Sequence, residues 1–192
     1  MQIEFLNQLG GNGPQSTLES LLEGAARVDA AVAGLSQAGV GIVRRFVVEH
    51  PSAELRLVVS VGEPTDLRSV ARLAEMLEGR VFIDTAIDAG HERGLRARTA
   101  LFEYPDRSCS VLTGSFDWTE SVLSGTGVDA GVLVHTHVGE PLVEDVRAFV
   151  AQCMARSEPF DAKRLRLYQT LQQSASGGRS TRTFPDSNRH GA

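Results

Sequence analysis

A chain of 192 residues with 42% hydrophobic residues is long enough for one core plus an appendage. Its 24 acidic and 19 basic residues leave a formal net charge of −5, which excludes a globally basic binder of nucleic acid or membrane and leaves that work to local patches. Cys109 and Cys153 are too few for a disulfide scaffold or a cysteine metal cluster and read as reduced, mostly buried thiols. The opening MQIEFLNQLGG lacks the basic region and apolar core of a secretion signal. No segment approaches the roughly 20 apolar residues of a membrane span, so a cytoplasmic protein without a membrane partner is expected.

Residues 10–16 are loop-like, and Ser16 or Thr17 can cap a helix whose Leu18, Leu21 and Leu22 form an apolar face. Val28 to Leu35 is an apolar stretch of strand length. Ser36 to Glu49 reads as a helix ended by His50-Pro51, with Gly39 and Gly41 weakening its first turn. Leu55 to Val61 reads as a buried strand, Thr65 or Asp66 caps a helix carrying Leu67, Val70, Leu73 and Leu77, and Val81 to Ile83 is a further strand. This alternation predicts an α/β fold with a parallel or mixed sheet covered by helices.

After Ala97 the rhythm changes. Thr99–Tyr104 and Cys109–Thr113 form a hairpin through Pro105-Asp106-Arg107, Ala130–His135 is another strand, and Glu140–Met154 is an amphipathic helix. Residues 161–173 can form a short basic helix. Residues 174–192 are rich in Ser, Gly, Arg and Asn and are expected to be disordered when unbound. The division is a domain over 1–158 and an extension over 159–192. Lys163, Arg164, Arg166, Arg179 and Arg182 make that extension the most cationic region, suited to a nucleic-acid backbone, to solubility or to a protein partner.

The most specific stretch is Gly114-Ser115-Phe116-Asp117-Trp118-Thr119. It resembles the Gly-Ser-Phe-Asn-Trp-Thr turn of the phospholipase D-like phosphodiesterases, especially their small bacterial nuclease and helicase-associated members. The resemblance covers about residues 1–155 and implies a mixed central sheet with helices on both faces. It also implies two half-sites that meet, hence a homodimer, and a setting in bacterial DNA processing or defence with a helicase or defence-system partner. Asp129 falls where the family carries a later acidic residue.

Two departures bear on chemistry. Where the family has His-x-Lys, this chain reads Arg96-Ala97-Arg98, and the turn's asparagine is Asp117. In the family the histidine attacks phosphorus while the lysine and asparagine hold the nonbridging oxygens. A guanidinium is always protonated and has no lone pair for attack, and a carboxylate repels phosphate. The resemblance therefore implies a degenerate pocket of Gly114, Asp117 and Asp129 rather than an enzyme.

Arg96 and Arg98 share strand parity and, with Ser115, either grip phosphate or are neutralised by Asp117 and Asp129 in an ion-pair network. His91 is the alternative nucleophile of a metal-independent nuclease, against its reading as a loop histidine. Phe116 and Trp118 are expected to pack beside the turn. His135 and His137 read as surface residues at a strand end, and Asp84, Asp88 and Glu92 as a solvated loop. No spacing of His, Cys, Asp and Glu resembles a metal site, and no cofactor is implied.

Overall fold

The computed structural model of the chain describes residues 1–7, 13–62, 64–86, 94–126 and 130–177. The elements are β1 (Gln2–Asn7), α1 (Pro14–Leu22), β2 (Arg27–Val32), α2 (Gln37–Glu49), β3 (Glu54–Ser60), α3 (Leu67–Met76) and β4 (Val81–Asp84). They continue as β5 (Arg98–Glu103), β6 (Ser108–Gly114), the single turn α4 (Glu120–Leu123), β7 (Ala130–His137), α5 (Pro141–Arg156), β8 (Glu158–Pro159) and α6 (Leu165–Gly177). The strands form one mixed sheet in the order β1-β7-β6-β5-β2-β3-β4-β8. β2, β3 and β4 run parallel, and the remaining pairs are antiparallel.

Local chemistry sets most boundaries. Helix α1 starts at Pro14, ahead of the expected Ser16 or Thr17 cap, because proline at the first helical turn gives up no hydrogen bond. The Ser16 and Thr17 hydroxyls instead donate back to the Gly13 carbonyl at 2.8 and 3.2 Å. Asp66 caps α3, its carboxylate accepting from the Arg68 and Ser69 amides at 3.1 and 3.3 Å. β1 is a strand beyond those the sequence pattern predicts. Its alternation of Gln2, Ile3, Glu4 and Phe5 has the strand period of two, and it pairs along its length with β7.

The sheet separates two apolar layers. Val28, Ala30 and Val32 of β2, with Leu57, Ile83, Ala100, Leu112 and Leu133 from its neighbours, face α1, α2, α3, α4 and Tyr168 of α6. Ala31 and Val58, together with Leu101, Cys109 and Val111, face α5. Burial pushes the Cys109 thiol up to about 11, so it stays protonated and inert near neutral pH.

On the α5 face lies an ion network. Asp29, in the middle of β2, is fully buried. Its two carboxylate oxygens accept from Arg56 at 2.5 and 2.6 Å, and Arg27 Nε adds a third bond at 3.0 Å. Arg147 of α5 continues the network to Glu103 at 2.9 Å and to Glu144 at 2.6 Å. Asp29 holds the Arg56 guanidinium above its ordinary pKa, and Glu103 does the same for Arg147. A buried carboxylate with this many donors is tolerated because every donor is charged or aligned.

Beyond α5, Glu158–Pro159 pairs with β4. The basic helix expected over 161–173 is α6, which packs on α3 and buries Tyr168 completely. Arg164 bonds Glu158 at 2.5 Å and lies 5.5 Å from the centre of the Tyr168 ring, while Lys163 and Arg166 are exposed. Residues 178–192, with Arg179 and Arg182, lie outside the described residues.

Asp29→Ala would leave Arg27 and Arg56 without their shared partner in a low-dielectric layer. Urea unfolding is expected to show a loss of about 3 kcal/mol with an unchanged denaturant slope, against a smaller loss for the isosteric Asp29→Asn.

Candidate functional site

The site forms at one edge of the sheet, where β2 and β6 end and β5 begins. Antiparallel pairing sets Arg98, the first residue of β5, opposite Val32, the last of β2, and sets Thr99 opposite Thr113. Gly114 then leaves β6 with φ +150°, and a Cβ there would lie 2.4 Å from the Ala130 carbonyl oxygen. Only glycine fits this exit, the physical reason for the glycine of the Gly-Ser pair.

The turn after Gly114 is fastened to the loop that joins β2 to α2. Trp118 N donates to Gly34 O at 3.1 Å, Ser36 N donates to Trp118 O at 3.1 Å, and Asp117 Oδ1 accepts from Gly34 N at 2.9 Å. Phe116 and Trp118 are buried in the main core. The first turn of α2 lies so close that a Cβ on Gly39 would stand 2.2 Å from the Trp118 carbonyl oxygen. The glycine that weakened the helix signal is thus the residue that lets α2 dock on the turn.

Arg98 Nε lies 2.8 Å from Asp117 Oδ2, a close charge contact without hydrogen-bond alignment. Asp117 is 7% exposed, and its carboxylate meets the Gly34 amide and this guanidinium. Ser115 Oγ accepts from Ala130 N at 2.9 Å and donates to Ala130 O at 3.1 Å, tying the turn to the start of β7.

Arg96 corrects the expected strand parity: it precedes β5 and is exposed. The ladder has no place for it, because β2 ends opposite Arg98 and turns away through Gly34. The chain at residues 94–97 is instead directed by Asp84. This residue, read from sequence as part of a solvated acidic loop, is 8% exposed, and its carboxylate accepts from the Ala86 and Leu95 amides. His91, Asp88, Glu92 and Asp129 lie outside the described residues. His135 is half-buried, with Nδ1 3.0 Å from Ser110 Oγ and Nε2 3.6 Å from Glu4 Oε1, while His137 is exposed at the strand end. Among the described residues no group of His, Cys, Asp and Glu is placed to hold a metal ion.

Arg98 and Asp117 act as a unit if their contact holds the turn on the β2–α2 loop. A double-mutant cycle of Arg98→Ala and Asp117→Ala is expected to give a coupling of about 1 kcal/mol, with Asp117→Ala the more costly single change because it also orphans Gly34 N. Additive single effects in chemical denaturation would contradict the coupling.

No protein-family model and no curated protein sequence matches the chain. Solved structures do match its fold. NucT from Helicobacter pylori aligns with a TM-score of 0.59 at 12% identity, over 83% of this chain and 99% of that one. Nuc from Salmonella typhimurium, a phospholipase D family member, aligns with a TM-score of 0.60 at 13% identity, over 83% and 97%. TrmBL2, an archaeal chromatin protein with a novel mode of DNA binding, aligns at 0.54 and 11% identity, over 83% of this chain and 55% of that one. Taken together, the mixed eight-stranded sheet, its helical layers and these alignments give the chain the phospholipase D-like fold.

Proposed function

We propose that the chain is a catalytically degenerate phospholipase D-like domain that binds nucleic acid and works in bacterial DNA processing or defence. The observation that carries this reading is the Arg98–Asp117 contact. It joins the two positions where the resemblance places a phosphate-binding lysine and asparagine, and Arg96 stands where the attacking histidine would be. A permanently protonated guanidinium has no lone pair to attack phosphorus, yet its fork is the side chain best matched to a phosphate oxygen pair. Arg98 keeps 34% of its side chain exposed beside Asp117, so with Arg96 and Ser115 it forms the phosphate-contacting edge. TrmBL2, which shares the fold, is a DNA-binding chromatin protein, and that supports the nucleic-acid reading.

The extension over 159–192 serves the same ligand. Gln172 of α6 donates to the carbonyls of Gly62 and Thr65 at 3.3 and 2.8 Å. The adjacent Asp66 amide donates to Leu35 O at 2.8 Å, so α6 sits beside the loop that receives the Asp117 turn. Two copies associate, as the two half-sites of the resemblance imply, with a helicase or defence-system protein as the further partner. The setting is cytoplasmic, and among the described residues no helix is long and apolar enough to cross a membrane.

A second reading, a metal-independent nuclease using His91, draws support from Asp84. By holding Ala86 and Leu95 it keeps both ends of the stretch carrying His91 near the start of β5.

Fluorescence anisotropy with single-stranded and duplex oligonucleotides across a salt series separates these readings. The full chain is expected to bind with a log–log salt slope of about −3, and Arg96→Ala with Arg98→Ala to weaken the slope by about 2 on duplex DNA. A chain ending at residue 177, which retains Tyr168 in the core, is expected to lose the tail's share. No binding by any variant leaves protein assembly as the function, and strand cleavage abolished by His91→Ala would establish the nuclease instead.

A further inference from the structure

Against the Asp117 turn lies a cavity of about 340 Å³, with Asp117 itself among its lining residues. It opens to solvent and is lined by α1, α4 and the β1, β7 and β6 part of the sheet. Leu21, Leu112, Phe116, Trp118, Leu123 and Leu133 line it, with Glu4 and His135 among its polar lining residues. Leu21, Leu112, Phe116, Leu123 and Leu133 of its lining keep 5–8% of their surface exposed. Protein interiors pack densely, with few voids larger than a water molecule, so these side chains border space that the described residues do not fill.

The chemistry of the walls specifies an occupant. An apolar cavity of only about 150 Å³ holds benzene, and ligand pockets begin near about 300 Å³. The apolar lining therefore suits a hydrocarbon or aromatic body. Glu4 is a carboxylate, and among the described residues its ion-pair partner is a histidine, His135, rather than a lysine or arginine. Glu4 Oε1 also accepts from Gln2 at 2.8 Å, a neutral donor. The carboxylate is 43% exposed and so remains reachable by a ligand's head group.

We propose that this cavity is a binding site for a small amphipathic amine, its apolar body against Phe116 and Trp118 and its ammonium on Glu4. The site shares Asp117 with the Arg98 contact, but its anchor is Glu4, so it stands whether or not the Arg98 edge binds nucleic acid.

Trp118 lines the cavity and is the sole tryptophan of the chain, so its emission reads occupancy directly. Titration with 4-phenylbutylamine is expected to give a saturable change in Trp118 emission and a rise in Tm. 4-Phenylbutyrate, with the same body and the opposite charge, is expected to bind at least about tenfold more weakly. Glu4→Gln should erase that preference, and Val122→Phe, which places a ring in the cavity, should abolish binding of both compounds. Absence of a saturable change at millimolar amine, or equal affinity for amine and carboxylate in the unaltered chain, would overturn the proposal. So would undiminished binding by a folded Val122→Phe protein; if that variant does not fold, the Glu4→Gln comparison decides.

Discussion

The structure hangs on the seam between the turn after β6 and the loop after β2. Backbone bonds run both ways between Trp118 and residues 34–36, and the Asp117 carboxylate crosses the seam to Gly34 N while meeting Arg98 on the neighbouring strand. Residues distant in sequence thereby fix one another: β6 delivers the turn, the turn seats the first turn of α2, and α2 covers the central strands. Removing the bulk of a Cβ at Gly39 is what permits this approach. An aspartate at the turn is compatible with the seam because its charge meets a guanidinium there rather than a phosphate.

The two faces of the sheet are stabilised by different means. Toward α1, α2 and α3 the layer is aliphatic and aromatic, closed at the far edge by Tyr168. Toward α5 it contains the Asp29 network, in which three arginines meet carboxylates from β2, β5 and α5. Hydrophobic burial is tolerant of sliding, whereas bidentate bonds fix distance and angle. Asp29 therefore sets the register of β3 against β2 as well as contributing to stability, since Arg56 reaches it from the residue directly opposite.

Sequence periodicity carried the alternation of β2, α2, β3, α3 and β4, and the hairpin of β5 and β6, because buried strands and amphipathic helices leave local patterns. β1 has its own alternation, but its pairing with β7 is a contact across the whole chain and no local pattern announces it. The two residues of β8 are too short for any pattern. At the site, the Gly-Ser turn and Arg98 were legible from spacing to the resemblance. Arg96 was misplaced because strand parity assumes a ladder, and the ladder stops where β2 bends. Asp84 and Asp29 were missed for one shared reason: an acidic residue in sequence gives no sign of the amides or arginines that a fold will bring around it.

Asp84 has one further consequence. A single carboxylate receives the amide of Ala86 on one side and that of Leu95 on the other, so the separation of these two points is set by a group seated in the sheet. β4 is thus moored where it leaves the sheet, and β5 where it is about to enter, by one and the same residue.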